Sequence, residues 1–347
     1  MRPSDIFTIL EQEYLSTEHG HNAPVMLWGP PGVGKSQLVA QLGIKHNVKV
    51  IDIRLSQIEP SDLRGIPFRE NQEVVWAVPS ILPHAQRHGP QGILFLDEIT
   101  SAPPSISAAA YQLILDNKLG DYELPEGWVI FAAGNRQGDR GITYTMPSPL
   151  ANRFSHYEVE THLDDWVAWA YKANIDERII AFLRFRPDML FDFDPAQNPV
   201  AFPTPRTWEY ASRALRKFTN NSRLLLGALQ ACVGETAGVE CFAFVENYIN
   251  IPDIDAITNG EDIPVPEKID LQYAVASALV GRAIKAKDSP EESKVLNNIL
   301  NYAHNFPQKE MGVMLVSDLH RAVGQALFAQ EAFQQWANSI ADLILYD

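Results

Sequence analysis

The sequence predicts an α/β chain, a three-layer domain with a parallel sheet covered on both faces, followed by a helical second part. Two observations carry this. Between residues 22 and 160, short runs rich in Val, Ile, Leu and Phe alternate with longer helical patterns: "PVMLWG", "VKVIDIRL", "GILFLDEI", "WVIFAAGN" and "FSHYEVE". Continuous apolar runs, rather than alternating ones, are what strands buried on both faces require. From about residue 162 the pattern turns helical, with "DDWVAWAYKA", "ERIIAFLRF" and "RTWEYASRALRKF" around a Pro-rich loop from Phe193 to Pro205. A third section, from about residue 222, places helical blocks around the polar connector "INIPDIDAITNGEDIPVPEKID" and closes on the amphipathic "EAFQQWANSIADLIL". The expected divisions are therefore 1–160, 161–221 and 222–347.

Composition sets bounds on function. The chain has 347 residues, 46% of them hydrophobic, which is ordinary for a packed protein of about two domains. A formal net charge of −15 argues against broad attraction to nucleic acid or anionic membrane. Cys232 and Cys241 have neither CxxC spacing nor a dense framework, so they read as free thiols of a reducing compartment. His304 and His320 have no ligand spacing. The start, "MRPSDIFTILEQEYL", lacks the apolar core of a signal peptide, and no run of about 18 uncharged apolar residues occurs. A cytoplasmic protein without a membrane span is expected.

The chemistry is concentrated at "LWGPPGVGKSQL". Gly29, Gly34, Lys35 and Ser36 fit G-x-x-x-x-G-K-[ST] between the strand "VMLW" and the helix "SQLVAQLGIKH". The loop Gly29, Pro30, Pro31, Gly32, Val33, Gly34, Lys35, Ser36 and Gln37 is the candidate nucleotide cradle. Its glycines let backbone N–H groups curl around phosphate oxygens, and the helix start favours negative charge. Lys35 would reach the β and γ phosphates of ATP, and Ser36 would ligate Mg²⁺. "GILFLDEI" then sets Asp97 and Glu98 at the end of a buried strand, at the sheet edge where the loop opens. Asp97 is the second candidate for the Mg²⁺ shell, and Glu98 the group that polarises the attacking water. Asn135, ending "WVIFAAGN", could orient that water.

The order phosphate loop, Asp-Glu strand, strand ending in Asn, "SPLANRF" and "PTPRTWEYA" resembles the AAA+ ATPases, in particular the MoxR-type branch, over roughly residues 20–218. The resemblance implies an AAA+ P-loop NTPase domain, a helical lid and here a C-terminal helical extension. It implies that Arg153 in "MPSPLANRF" is an arginine finger acting on the neighbouring subunit, with Arg140 in "GDRGITY" as the rival. The family often has Asp before the finger, where this chain has Asn152. Arg206 matches the sensor 2 arginine that opens a lid helix. Two hairpins facing a ring pore or bound partner are implied at "DLRGIPFRENQEVVWAVPSILPHA", with a turn near Glu70 to Gln72, and at "DNKLGDYELPEGW".

The resemblance thus implies a hexameric, Mg²⁺-dependent ATPase with a chaperone role, which remodels, assembles or activates a protein client or a von Willebrand factor A-type partner. The alternatives are a Rubisco-activase-like or cofactor-insertion ATPase of the same branch, a nucleic-acid-stimulated motor, and a nucleotide-gated scaffold that does not turn over.

Overall fold

The structure is a computed structural model that describes residues 1–17, 22–139, 143–194 and 200–344. Backbone contacts divide it into two compact units, Met1–His162 and Leu163–Asp347.

In the first unit α1 (Pro3–Ser16) precedes β1 (Val25–Trp28), α2 (Lys35–His46) and β2 (Lys49–Arg54). The short α3 (Pro60–Arg64) leads into a hairpin of β3 (Ile66–Glu70) and β4 (Glu73–Ala77), followed by α4 (Ala85–His88) and β5 (Gln91–Asp97). Then come α5 (Pro104–Asp116), a small hairpin of β6 (Lys118–Leu119) and β7 (Tyr122–Glu123), β8 (Gly127–Gly134), α6 (Ser148–Ala151) and β9 (Ser155–Glu158). Among the described residues the main sheet has five strands in the order β2-β5-β8-β1-β9, and every pairing is parallel. These are the five runs expected from sequence.

The sheet is apolar on both faces because both are covered. Leu94 and Leu96 of β5 and Ile130 and Ala132 of β8 join a core with Ile106, Ala110 and Leu113 of α5. The intervening Ile93, Phe95, Val129 and Phe131 are equally buried, and side chains alternate between faces along a strand. That is the three-layer arrangement. The parallel register sets Asp97 of β5 opposite Arg54 of β2, and Trp28 of β1 opposite Gly134 of β8. The loops after β1, β5 and β8 therefore leave from one edge of the sheet. β1 lies between β8 and β9, so the chain must cross two strands to reach β2, and the crevice outside such a reversal is where open α/β sheets bind ligands.

The second unit contains α7 (Leu163–Lys172), α8 (Glu177–Phe185), α9 (Pro205–Phe218), α10 (Ser222–Val233), α11 (Glu235–Asn247), α12 (Ile254–Asn259), α13 (Ile269–Ala286), α14 (Glu292–Ala303), α15 (Lys309–Val323) and α16 (Glu331–Ile344). One connected set of buried side chains runs from Trp166 to Ile340, so the expected lid and extension share a core. α12 interrupts the connector that sequence presents as polar loop. Its start is fixed by the Asp253 carboxylate, which accepts from the N–H groups of Asp255 and Ala256. Cys232 is half-buried, while Cys241 is fully buried, and that burial pushes its thiol pKa up.

Charge is buried in this unit too. Arg184 of α8 is 7% exposed and donates from Nε to Asp318 of α15 at 3.0 Å and from Nη1 to Asp164 of α7 at 2.5 Å. Arg321 adds a 2.9 Å bond to Asp318. Burial pushes the Asp318 carboxyl up even beside two guanidinium groups. Replacing Asp318 by Ala strands Arg184 without its main counter-charge, and is expected to cost about 3–5 kcal/mol of stability in a urea titration of the full chain. A loss under about 1 kcal/mol would show the pair to be dispensable.

No helix among the described residues is long and apolar enough to cross a membrane.

Candidate functional site

The loop after β1 turns on glycines that other residues replace only with strain. Gly29 has φ +151°, and a Cβ there would lie 2.9 Å from the carbonyl oxygen of Val159. Gly34, at φ +102°, sits in the left-handed region at the start of α2. The chain curls there, and successive backbone N–H groups turn toward one concavity.

Lys35 opens α2, is 8% exposed, and its ammonium reaches back into that loop. Nζ donates to the carbonyl oxygens of Gly29 at 2.6 Å and Pro30 at 3.1 Å, and to Oδ1 of Asn135 at 3.2 Å. The Asn135 bond spans 100 residues of sequence and links the loop after β1 to the end of β8. With Oδ1 accepting from Lys35, the amide nitrogen of Asn135 is left as a donor on its other side.

Ser36 Oγ donates to Asp97 Oδ2 at 2.8 Å. A hydroxyl and a carboxylate oxygen in contact, beside a phosphate-type loop, are hard donors of the kind that hold Mg²⁺ when substrate phosphates and water complete its shell. Among the described residues no cluster of three or more His, Cys, Asp or Glu forms a self-sufficient metal cage. The donor set fits a metal that arrives with a nucleotide.

Glu98 has φ +57°, a left-handed conformation that costs a non-glycine residue roughly 1–2 kcal/mol. Its N–H donates to Asp97 Oδ1 at 2.8 Å. Its carboxylate accepts a short hydrogen bond from Ser56 Oγ, just past β2. Strain of this kind concentrates at functional sites, where the surroundings hold it in place.

Three further groups belong to this edge and carried no signal strong enough to select them from sequence. Ser56 is one. Thr100 is another: its Oγ1 accepts from the Asn135 N–H at 3.1 Å and donates to the Asn135 carbonyl at 3.2 Å, which fixes that backbone. The third is Asp52 on β2, whose carboxyl is pushed up by burial and by the nearby charge of Asp97. The period-2 placement of Asp52 and Arg54 in "VIDIRL", with β2 beside β5, was the available hint.

The remaining candidates are placed as follows. Pro31, Gly32 and Val33 continue the loop, with Val33 buried at 6% exposure and Gly32 at φ +84°, while Gln37 is exposed on α2. Arg153 follows α6 and is exposed, with its N–H bonded to the Leu150 carbonyl at 3.0 Å. Among the described residues it forms no ion pair and no bond to the Lys35 cluster. Arg140 lies outside the described residues. Arg206 is exposed in the first turn of α9, in the second unit, behind a capping box in which Thr204 and Thr207 satisfy each other's N–H groups.

Among solved structures the chain is similar to a point mutant of RuvB from Thermotoga maritima, at 14% identity over 94% of this chain and 84% of that one, with a TM-score of 0.35. It is also similar to RuvB of Thermotoga maritima described as a Holliday junction branch migration motor, at 15% identity over 80% of each chain, with a TM-score of 0.36. At such TM-scores the likeness carries no argument about action. The family model described as the AAA domain, dynein-related subfamily, matches residues 24–154. With its five-stranded parallel sheet and P-loop, this part of the chain has the AAA+ P-loop fold, and a helical C-terminal region follows it.

Proposed function

We propose that the protein is a Mg²⁺-dependent ATP hydrolase of MoxR type, acting in the cytoplasm as a ring, expected to be a hexamer, that remodels or activates a protein partner. The observation that carries the hydrolase reading is the meeting of Lys35, Ser36, Asp97 and Asn135 through hydrogen bonds at one edge of the sheet, with Glu98 beside them.

Each of these residues has a separable task. Lys35 exchanges its bonds to the Gly29 and Pro30 carbonyls for phosphate oxygens, which bind a cation more strongly because they are charged. Ser36 and Asp97 would hold the metal, which when bound would supply positive charge against the phosphates. Glu98 accepts a proton from the attacking water, and leaving Ser56 frees its carboxylate to do so. Asn135 donates from its amide to the same water and keeps it in line with the γ-phosphate. Arg153 of a neighbouring subunit stabilises charge developing in the transition state, and Arg206 reads the phosphate state for the helical part. Both roles rest on the resemblance in residue pattern.

The experiment is a mixture. A subunit with Arg153→Ala has a sound pocket but fails its neighbour, and a subunit with Lys35→Ala has a useless pocket but a sound arginine. Each alone should be nearly inactive, since a trans arginine is worth roughly 10³-fold or more in related chemistry. Mixed, they should recover part of the parent turnover, increasingly with protein concentration. A mixture showing only the sum of residual rates, in rings proved to be mixed, rules out Arg153 and sends Arg140 to the same test.

A further inference from the structure

The hairpin of β3 and β4 is unusual for its exposed apolar surface. Ile66 is 65% exposed, Phe68 48% and Val74 68%. In its antiparallel register Ile66 lies opposite Ala77, Phe68 opposite Val75, and Glu70 opposite Glu73. Residues directly opposite share a face, so one face is an apolar strip that ends in two carboxylates beside the turn. Like charges in that relation repel and weaken a hairpin. Neither Glu70 nor Glu73 has an ion-pair partner among the described residues. Arg69 is on the other face, opposite Val74, and its Nε is spent on the Asn71 carbonyl at 2.9 Å. A concavity of about 410 Å³ beside the turn is lined by Glu70, Asn71, Gln72, Glu73 and Val75.

The ribbon is held in place rather than loose. The Trp76 N–H donates to the Asp121 carboxylate at 3.0 Å, in the turn of the β6–β7 hairpin. Strand addition along β3 is disfavoured by Pro67, which has no N–H to give. On the β3 side docking therefore has to use the side-chain face.

We infer that this face binds a protein segment in which apolar side chains lead to a lysine or arginine, the apolar part lying on Ile66 and Phe68 and the cation between Glu70 and Glu73. The inference rests on the protein-partner reading above and names the partner's chemistry. A polyphosphate backbone would be repelled by the same two carboxylates.

The test uses the full chain and two fluorescein-labelled decapeptides, one alternating leucine with arginine and one alternating leucine with glutamate, followed by fluorescence anisotropy. The arginine peptide should bind and the glutamate peptide should not. E70K/E73K should weaken binding about tenfold or more, because two attractions become repulsions. E70Q/E73Q, which keeps side-chain shape, should weaken it by a smaller factor, and F68S should weaken it while leaving the charge intact. The matched variant E261K/D262K, with the same change in net charge at exposed positions of the second unit, should change affinity less than twofold.

Parent-like binding by E70K/E73K, equal losses in the two charge-matched variants, or equal binding of both peptides would overturn the inference. So would a concentration-dependent self-association lost in E70K/E73K without peptide binding, which assigns the face to a second copy. ATP turnover without peptide should stay at the parent level in all these variants. A parent that binds the peptide through Glu70 and Glu73 yet hydrolyses no ATP overturns the hydrolase reading alone, and an active parent indifferent to Glu70 and Glu73 overturns only the docking.

Discussion

Glu98→Gln should bind ATP as the parent does and hydrolyse it about 10²-fold or more slowly, the loss expected when a positioned general base is removed. The substitution keeps the shape of the side chain and an oxygen that can accept from Ser56 Oγ, so the left-handed turn at residue 98 has no reason to collapse. What disappears is the carboxylate's capacity to take a proton. Binding and turnover should therefore separate: unchanged nucleotide affinity by fluorescence titration, and phosphate release near background. The nucleotide-bound oligomer should also persist longer. Near-parent turnover would assign the water to another group, and Asp52, the third carboxylate at this edge, would be the next to replace.

Lys35→Ala should fail one step earlier, at binding. In this structure the ammonium is satisfied by two loop carbonyls and the Asn135 amide oxygen, which shows where the loop places oxygen atoms around a cation. A phosphate oxygen taking such a position forms a charge-assisted bond worth roughly 1.5–3 kcal/mol, and Lys35 has several donors to give. Losing it should reduce ATP affinity about 10²-fold or more, since about 1.4 kcal/mol is a factor of ten. The fold should survive, because the apolar core of α2 rests on Leu38, Val39 and Leu42 rather than on Lys35. Affinity within twofold of the parent, with an unchanged melting curve, would take Lys35 out of the site.

The parts of this protein legible in its sequence are those encoded by neighbours in the chain. The five strands of the sheet announce themselves as continuous apolar runs, and the loop at residues 29–36 announces itself by glycines that its positive φ angles require. The β3–β4 turn was readable from Asn71, which adopts φ +58° there. What sequence did not show is set by distance along the chain. Ser56 meets Glu98 across 42 residues, Thr100 meets Asn135 across 35, and Arg184 meets Asp318 across 134. A serine, a threonine or a single arginine is too common for its type alone to signal such a contact. α12 is hidden in the sequence for a different reason: it is six residues long, too short for a helical period to emerge, and is started by one aspartate in a stretch otherwise marked by proline and glycine.

The most direct measurement of the central claim is phosphate release from ATP by the purified full chain, with Mg²⁺ and after chelation by EDTA, at several protein concentrations. The account predicts sustained multiple turnover that stops on chelation and is restored by added Mg²⁺, with a rate per subunit that rises with concentration as rings form. ATP that binds with Lys35-dependent affinity but is recovered intact after many hours would contradict it, and would make the protein a nucleotide-gated scaffold.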